Sequence, residues 1–184
     1  MDRMAGIRIT WRDVQEMPED GKRYEAIDGR MCVTPQPRTR HQWASASLFR
    51  EVLPILGSRG RLFMPPTGVE FVDTEEGVQP DLLFVRTERL NSVREYTIQG
   101  PPDLVVEILS PSTALRDPGI KLDLYRRKEV PEYWVMDADA KLVEVWRLAE
   151  GASAAERYTE AVPVRLEGQV IGSVELAKVF DWPA

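Results

Sequence analysis

The sequence predicts a mixed α/β (α+β) fold, and three patterns lead to this class. Residues 80–85 and 104–109 are nearly continuous apolar runs, which is typical of strands buried on both faces of a sheet. Residues 39–56 carry apolar side chains at helical spacing, which indicates an amphipathic helix. From residue 130 onward, short apolar runs alternate with turn-forming residues, so we expect antiparallel strands there.

The N-terminal region predicts a short helix followed by a hairpin. Thr10 is suited to cap a helix over residues 11–16, because its hydroxyl can accept a hydrogen bond from a free backbone N–H of the first turn. Residues 23–27 and 30–34 have strand character and flank Asp28-Gly29, a dipeptide that tolerates the positive φ angles of a two-residue turn.

The middle of the chain predicts the amphipathic helix and then three strands. Pro54 disturbs the last turn of the helix, because proline has no backbone N–H to donate. The acidic residues 73–77 predict a turn between the last two strands, and the polar residues 86–100 predict a loop with room for a short helix. The expected strands lie at residues 62–64, 68–72 and 80–85.

The second half of the chain begins with the strand at residues 104–109 and a break at residues 110–113. A helix follows and runs to Arg127, with Asp117 as its expected N-cap and Pro118 as its first residue. The remaining expected elements are strands at residues 130–137, 142–146, 162–164 and 170–172, a short strand at Tyr158, and a closing helix at residues 173–180.

Length and composition predict one globular domain over residues 1–184, of which 43% are hydrophobic. Cys32 is the sole cysteine and therefore excludes an internal disulfide. The first residues contain no apolar signal segment, and no run approaches the roughly 18 apolar residues of a membrane helix. We therefore expect a soluble cytoplasmic protein without a membrane partner.

The formal net charge of −6 argues against binding of nucleic acid through an overall positive field. Affinity for phosphate backbones comes mainly from Lys and Arg side chains, so any such contact must use local patches. The candidates for these patches are Arg38, Arg40, Arg59, Arg61, Arg126 and Arg127.

Two acidic residues stand out in the buried strands. Asp81 opens one apolar run and Glu107 lies near the end of the other, where an unpaired charge is costly. If the two strands are neighbours, facing residues lie about 5 Å apart, which suits a shared Mg²⁺ or Mn²⁺ ion. Asp103 is a rival partner, but it lies about 13 Å along the strand from Glu107. A buried, hydrogen-bonded pair of acids without a metal is the alternative interpretation.

Lys121 is a further candidate for this site. It lies in the first turn of the predicted helix, where a cation opposes the helix dipole, so it could extend toward the acids. Its ammonium group could orient or help deprotonate a water, or offset charge on a phosphoryl group. A solvated helix lysine is an equally open interpretation.

These residues together resemble the Uma-two (Uma2) family of endonucleases, which belongs to the PD-(D/E)xK restriction-endonuclease-like superfamily. The resemblance covers about residues 17–146. It is carried by Arg23 to Gly29, Arg40 to Gln42, Pro80-Asp81, Val105 to Thr113, Lys121, Tyr125 and Val130 to Asp137.

The resemblance implies a mixed central sheet in αβββαβ order, flanked by helices, to which the N-terminal hairpin and C-terminal antiparallel strands are additions. It also implies that Asp81 and Glu107 are metal ligands. The lysine expected two residues after the glutamate would fall at Leu109, so the motif departs from the family pattern there. Lys121 on the following helix is then the substitute, and Glu25 joins the expected catalytic residues.

Four further residues keep two interpretations each. Glu70 could add a ligand, as Glu25 could, yet either side chain could equally lie on the polar face of a strand. His41 could contact phosphate or be a surface histidine at a helix terminus. Tyr125 could orient Lys121 one turn away, or fill the core.

The leading hypothesis is a Mg²⁺-dependent or Mn²⁺-dependent endonuclease that hydrolyses phosphodiester bonds of nucleic acid, with DNA as the expected partner. A homodimer would allow paired nicking of a duplex. The alternative is a nuclease-like binding or assembly module without catalysis, which the net acidity and Leu109 favour. A two-acid glycosidase is disfavoured, because nothing in the sequence resembles a sugar platform.

Overall fold

The computed structural model describes residues 7–109 and 119–183. Its helices are α1 (Trp11–Gln15), α2 (Thr39–Leu56), α3 (Gly119–Arg127) and α4 (Leu176–Val179). Its strands are β1 (Arg23–Ile27), β2 (Arg30–Thr34), β3 (Gly60–Phe63), β4 (Gly68–Phe71), β5 (Glu76–Val78), β6 (Leu82–Arg86), β7 (Thr97–Gln99), β8 (Leu104–Ile108), β9 (Glu132–Asp137), β10 (Leu142–Arg147), β11 (Glu156–Tyr158), β12 (Ala161–Leu166) and β13 (Gln169–Glu175).

A six-stranded mixed sheet in the order β11-β10-β9-β8-β6-β3 carries Glu107 and adjoins Asp81. β3, β6 and β8 pair antiparallel, whereas β8 and β9 pair parallel, with α3 between them in the chain. α2 packs on this sheet through Leu48, Val52 and Leu56, all of which are fully buried. The elements from α2 to β9 thus confirm the expected αβββαβ core, and β10 and β11 extend it with antiparallel strands.

The N-terminal hairpin belongs to a second, five-stranded sheet in the order β2-β1-β5-β4-β7. Its turn has the predicted geometry, because Asp28 and Gly29 both adopt positive φ angles, of 50° and 71°. The prediction of a simple turn over residues 73–77 is wrong. Glu76 and Gly77 belong to β5, which joins the hairpin to β4. Glu76 is buried by its contacts with Arg127 and the backbone N–H of Asp28, which the local sequence does not reveal.

α1 forms where the sequence predicts a helix and covers the five-stranded sheet. Thr10 and Asp13 form a reciprocal capping box at its start, and Trp11 packs against the sheet surface. A Cβ atom on Gly77 would come within 2.1 Å of the Trp11 ring, so only glycine allows this close approach. α1 and β5 therefore depend on each other.

Some boundaries differ from the sequence prediction. β6 begins at Leu82 rather than at residue 80, so Asp81 directly precedes the strand. A 3₁₀ helix and β7 form within residues 86–100, because Ile98 is buried in the core of the five-stranded sheet. β13 extends to Glu175, where a helix is expected from residue 173, because its residues pair with β12. The expected break at 110–113 and the cap at Asp117 lie outside the described residues.

Among the described helices, none is both long and apolar enough to cross a membrane.

Candidate active site

Asp81 and Glu107 lie side by side on the six-stranded sheet. Leu82 pairs with Val106 in the antiparallel ladder of β6 and β8. Asp81, which precedes Leu82, therefore stands opposite Glu107, which follows Val106. The backbone confirms this proximity, because the N–H of Ile108 donates to Asp81 Oδ2 at 2.7 Å and the N–H of Asp81 donates to the carbonyl of Val106 at 3.1 Å. Both side chains line one cavity of about 110 Å³, which we call the catalytic cavity because the candidate catalytic residues of the sequence analysis line it.

Asp81 is buried and held by two basic side chains. Arg23 donates to its Oδ1 at 2.7 Å, and His41 Nε2 lies 3.1 Å from its Oδ2. Burial would raise the pKa of Asp81, but the hydrogen bond of His41 and the charge of Arg23 lower it below its usual value. Asp81 is therefore a carboxylate at neutral pH.

Glu107 is positioned by two donors from α3. Lys121 Nζ and the Tyr125 hydroxyl both donate to Glu107 Oε1, each at 2.7 Å. Burial raises the pKa of Glu107, and the charge of Lys121 opposes this effect only in part. Tyr125 thus contacts the acid rather than only filling the core or packing against Lys121.

Lys121 bridges the two sheets, because it also donates to Glu25 Oε1 at 2.9 Å. Burial would lower the pKa of Lys121, but the charges of Glu107 and Glu25 raise it well above its usual value. The amine therefore stays protonated at neutral pH. This state suits charge stabilisation and not the removal of a proton from water.

Glu25 brings the N-terminal hairpin into the site. Its side chain is buried, and its Oε1 also accepts a hydrogen bond from the N–H of Gln79 at 2.8 Å. Glu25 lies on β1, so the catalytic cavity is lined by residues of both large sheets. Glu25 is therefore not an ordinary polar strand residue, because it is buried, pairs with Lys121 and lines the cavity.

Arg23 is a site residue that the sequence analysis missed. It lines the catalytic cavity, and the charges of Asp81 and Glu107 raise its pKa against the opposing effect of burial. Arg23 and Glu25 are two residues apart on β1, so they share one face of the strand. That alternation is the signal that could have identified Arg23.

Several other candidates lie elsewhere. Glu70 contacts Thr97 and Gln99 on the five-stranded sheet, and Asp103 binds Arg86 and Arg89 at the opposite end of β8. None of the six arginines proposed as phosphate contacts lines the catalytic cavity among its described residues.

His41 differs from the expected surface histidine. Its residue exposure is only 7%, because it packs beside Asp81. The buried position comes from the tertiary contact between α2 and the strand that follows Asp81, which the local sequence at a helix start cannot show.

The donor atoms suit a hard divalent cation, because carboxylate oxygens are the protein ligands that Mg²⁺ prefers. Within residues 7–109 and 119–183, however, no group of three or more His, Cys, Asp or Glu side chains is already arranged to hold a metal. Both oxygens of Asp81 accept hydrogen bonds, from Arg23 on one side and from Ile108 on the other. A cation at Asp81 would therefore have to replace or share the contact with Arg23.

Comparisons with known proteins identify a family and a similar fold. The Uma2 family model, described as "Putative restriction endonuclease", matches residues 11–177, a range that includes every site residue named above. The crystal structure of a "putative nuclease belonging to DUF820" from Anabaena variabilis has a similar fold, with a TM-score of 0.78 and 19% sequence identity over 95% of this chain and 98% of that one. A search of the curated proteins found no match.

Proposed function

This chain belongs to the Uma2 family, and on that basis we propose that it is a metal-dependent endonuclease that hydrolyses phosphodiester bonds of DNA. The observation that carries the proposal is the convergence of Asp81, Glu107, Glu25 and Lys121 on one cavity. These residues come from four separate parts of the chain. A merely structural ion pair would not need this number of buried charges in one place.

In the proposed mechanism Asp81 and Glu107 would hold Mg²⁺ or Mn²⁺. A bound ion of this kind polarises the scissile phosphate and lowers the pKa of an attacking water. Lys121 contributes a fixed positive charge that stabilises negative charge on the phosphoryl oxygens. Glu25 and Tyr125 keep Lys121 and Glu107 in place, which limits reorganisation during the reaction.

The charges of the site favour joint binding of a cation and a phosphodiester. If ionised, Asp81, Glu107 and Glu25 carry three negative charges, against which Lys121 and Arg23 supply two positive charges. One divalent cation would leave a single positive charge, which one phosphodiester group neutralises. If the cation replaced Arg23 at Asp81, the guanidinium of Arg23 would be free to donate hydrogen bonds to the phosphate.

The test is cleavage of plasmid and oligonucleotide DNA with Mg²⁺, Mn²⁺ or EDTA. Asp81→Asn and Glu107→Gln should each lose about 100-fold or more in rate, because metal catalysis supplies several kcal/mol. Glu70→Gln is the matched control, because it neutralises a strand glutamate that does not line the cavity. Equal residual activity in all three variants would identify a contaminating nuclease and contradict the proposal.

A second candidate function is a nuclease-like binding or assembly module without catalysis. The engagement of Asp81 by Arg23 and the net charge of −6 favour it. Calorimetric titration with Mn²⁺ separates the two, because the module predicts no metal binding by the wild-type protein. A homodimer, which would bring two sites to the two strands of a duplex, stays a prediction for the endonuclease.

A further inference from the structure

A second cavity, of about 450 Å³, lies beside the catalytic cavity. Arg23, Pro37, His41 and Asp81 line both cavities, so the two adjoin at the same side chains. The rest of the second cavity is lined by Gln42, Ser45, Met64, Pro65 and Pro66. Its volume falls in the range of small-molecule sites, about 300–1,000 Å³.

His41 provides an unused polar atom at this boundary. Its side chain is more than nine-tenths buried, and its Nε2 contacts Asp81 at 3.1 Å. Its Nδ1 is buried and has no hydrogen-bond partner among the described residues. Buried polar atoms of proteins are nearly always paired, so the unpaired Nδ1 marks His41, a lining residue of both cavities, as a side chain whose hydrogen-bond capacity the described residues do not use in full.

The lining of the second cavity favours a neutral, flat, heteroaromatic ligand. Met64, Pro65 and Pro66 provide apolar walls, and the exposed Gln42 provides an amide with donors and an acceptor. A phosphate is disfavoured there, because the sole lining cation in the described structure, Arg23, is bound to the carboxylate of Asp81. Apolar faces with a few edge contacts are how enzymes hold an unstacked nucleobase.

We propose that this second cavity binds the unpaired nucleobase next to the phosphate that enters the catalytic cavity. The inference rests on the proposed nuclease function and narrows its substrate to single-stranded or locally unpaired nucleic acid. A paired base cannot enter, because its stacking and pairing partners hold it within the duplex.

The test is binding of oligonucleotides that carry 2-aminopurine, whose fluorescence reports unstacking. Wild-type protein is titrated in EDTA and in Ca²⁺ into single-stranded, mismatched and fully paired versions of one sequence, with 2-aminopurine at successive positions. We expect a position-dependent fluorescence change and about tenfold tighter binding of the unpaired forms, which is the order of one base-stacking contact.

Two variants and two controls locate the effect. Ser45→Leu should fill the cavity and weaken binding about tenfold, and Gln42→Ala should weaken it severalfold without affecting a buried position. Ala46→Leu, on the exposed face of the same helix, and Gln169→Ala, on exposed β13, should leave binding unchanged. A thermal melt checks that Ser45→Leu is folded. If it is not, the exposed variant Gln42→Ala still tests the site.

Equal affinity for paired and unpaired forms, or equal effects of variants and controls, would overturn the inference. The outcome is separable from the proposed function. Tighter binding of the unpaired forms, with no cleavage in Mg²⁺ or Mn²⁺, would support the base site and contradict the proposed enzyme. Cleavage of duplex DNA without any 2-aminopurine signal would preserve the enzyme and reject the base site.

Discussion

Asp81 and Glu107 are neighbouring carboxyl groups whose surroundings shift their pKa values in opposite directions. Arg23 and His41 outweigh burial at Asp81, whereas burial outweighs Lys121 at Glu107. Environments that push two acids apart are typical of sites where the two play different roles. The difference can be measured through stability, because a shifted pKa makes the free energy of unfolding depend on pH.

We expect Glu107→Gln to gain stability relative to wild type as the pH rises above about 4.3, the usual pKa of glutamate. The folded wild type holds this proton more tightly than the unfolded chain, so it loses stability as the pH rises toward the raised pKa. The variant has no proton to lose. Urea unfolding between about pH 3 and pH 8 measures the difference.

Asp81→Asn should show the opposite trend. The lowered pKa of Asp81 gives the wild type stability that is fully present above about 3.9 and is lost as the pH falls through the folded-state pKa. The disadvantage of the variant should therefore shrink in acid. If both variants gained stability relative to the wild type with rising pH, or both lost it, the opposite pKa shifts of Asp81 and Glu107 would be contradicted.

Lys121 lies between the buried Glu25 and the largely buried Glu107, so its removal should affect both stability and catalysis. In Lys121→Met, Glu25 and Glu107 would face each other without their shared cation, which should destabilise the fold by up to about 3 kcal/mol at pH 8 and less at pH 5. Cleavage should fall about 100-fold at both pH values. Lys178→Met, which removes an exposed lysine paired with Glu175, should change neither property.

Arg23 competes with a cation for Asp81. Arg23→Met should therefore tighten Mn²⁺ binding about tenfold, because a positive charge near the metal site is removed. Arg89→Met is the matched control, since Arg89 also pairs with a buried aspartate, Asp103, but at the far end of β8. Calorimetry measures both constants. Unchanged or weaker binding by Arg23→Met would show that the guanidinium does not oppose the metal.

Among the helices, strands and turns, the sequence correctly predicted those that depend on residues close together in the chain. The N-cap at Thr10, the turn at Asp28-Gly29 and the bounds of α2 all appear where the sequence places them. β5 was missed, because its acidic residues resemble a turn, whereas pairing with β1 and β4 makes it a strand and Arg127 pairs with its buried Glu76. Arg23 was missed as a site residue for the same reason, and so was the burial of His41 beside Asp81, since distant partners bury both side chains.

The contact between α1 and β5 gives a prediction at this scale. Gly77→Ala should destabilise the protein by about 3 kcal/mol, because the new Cβ would overlap the Trp11 ring. Gly168→Ala is the control, since its turn has open space and a positive φ alone costs about 1–2 kcal/mol. If urea unfolding gave similar losses of stability for the two variants, the close contact between Gly77 and the Trp11 ring would be contradicted. Because Gly77 pairs with Ala26, Gly77→Ala should also displace Glu25 and lower activity.

For the whole molecule, the charge distribution limits how nucleic acid can bind. Arg40, Arg126 and Arg127, three of the expected phosphate contacts, already pair with acids. Of the six arginines proposed as phosphate contacts, this leaves Arg38, Arg59 and Arg61 for the backbone. This is consistent with the net charge of −6.

We expect a shallow salt dependence of binding as a result. With two or three phosphate contacts, the slope of log K against log salt should be about −2 for single-stranded DNA. Fluorescence anisotropy between about 50 and 200 mM salt measures it. A slope of about −5 or steeper would reveal a basic surface that the described arginine pairings do not leave open.

The catalytic cavity draws Arg23 and Glu25 from a hairpin that lies outside the αβββαβ core. A shortened protein that began at α2 would keep Asp81, Glu107 and Lys121, yet the lysine would lose one of its two acids and Asp81 would lose its guanidinium. Anyone trimming this chain to a minimal enzyme, or grafting its chemistry onto another scaffold, must carry the first thirty-odd residues along.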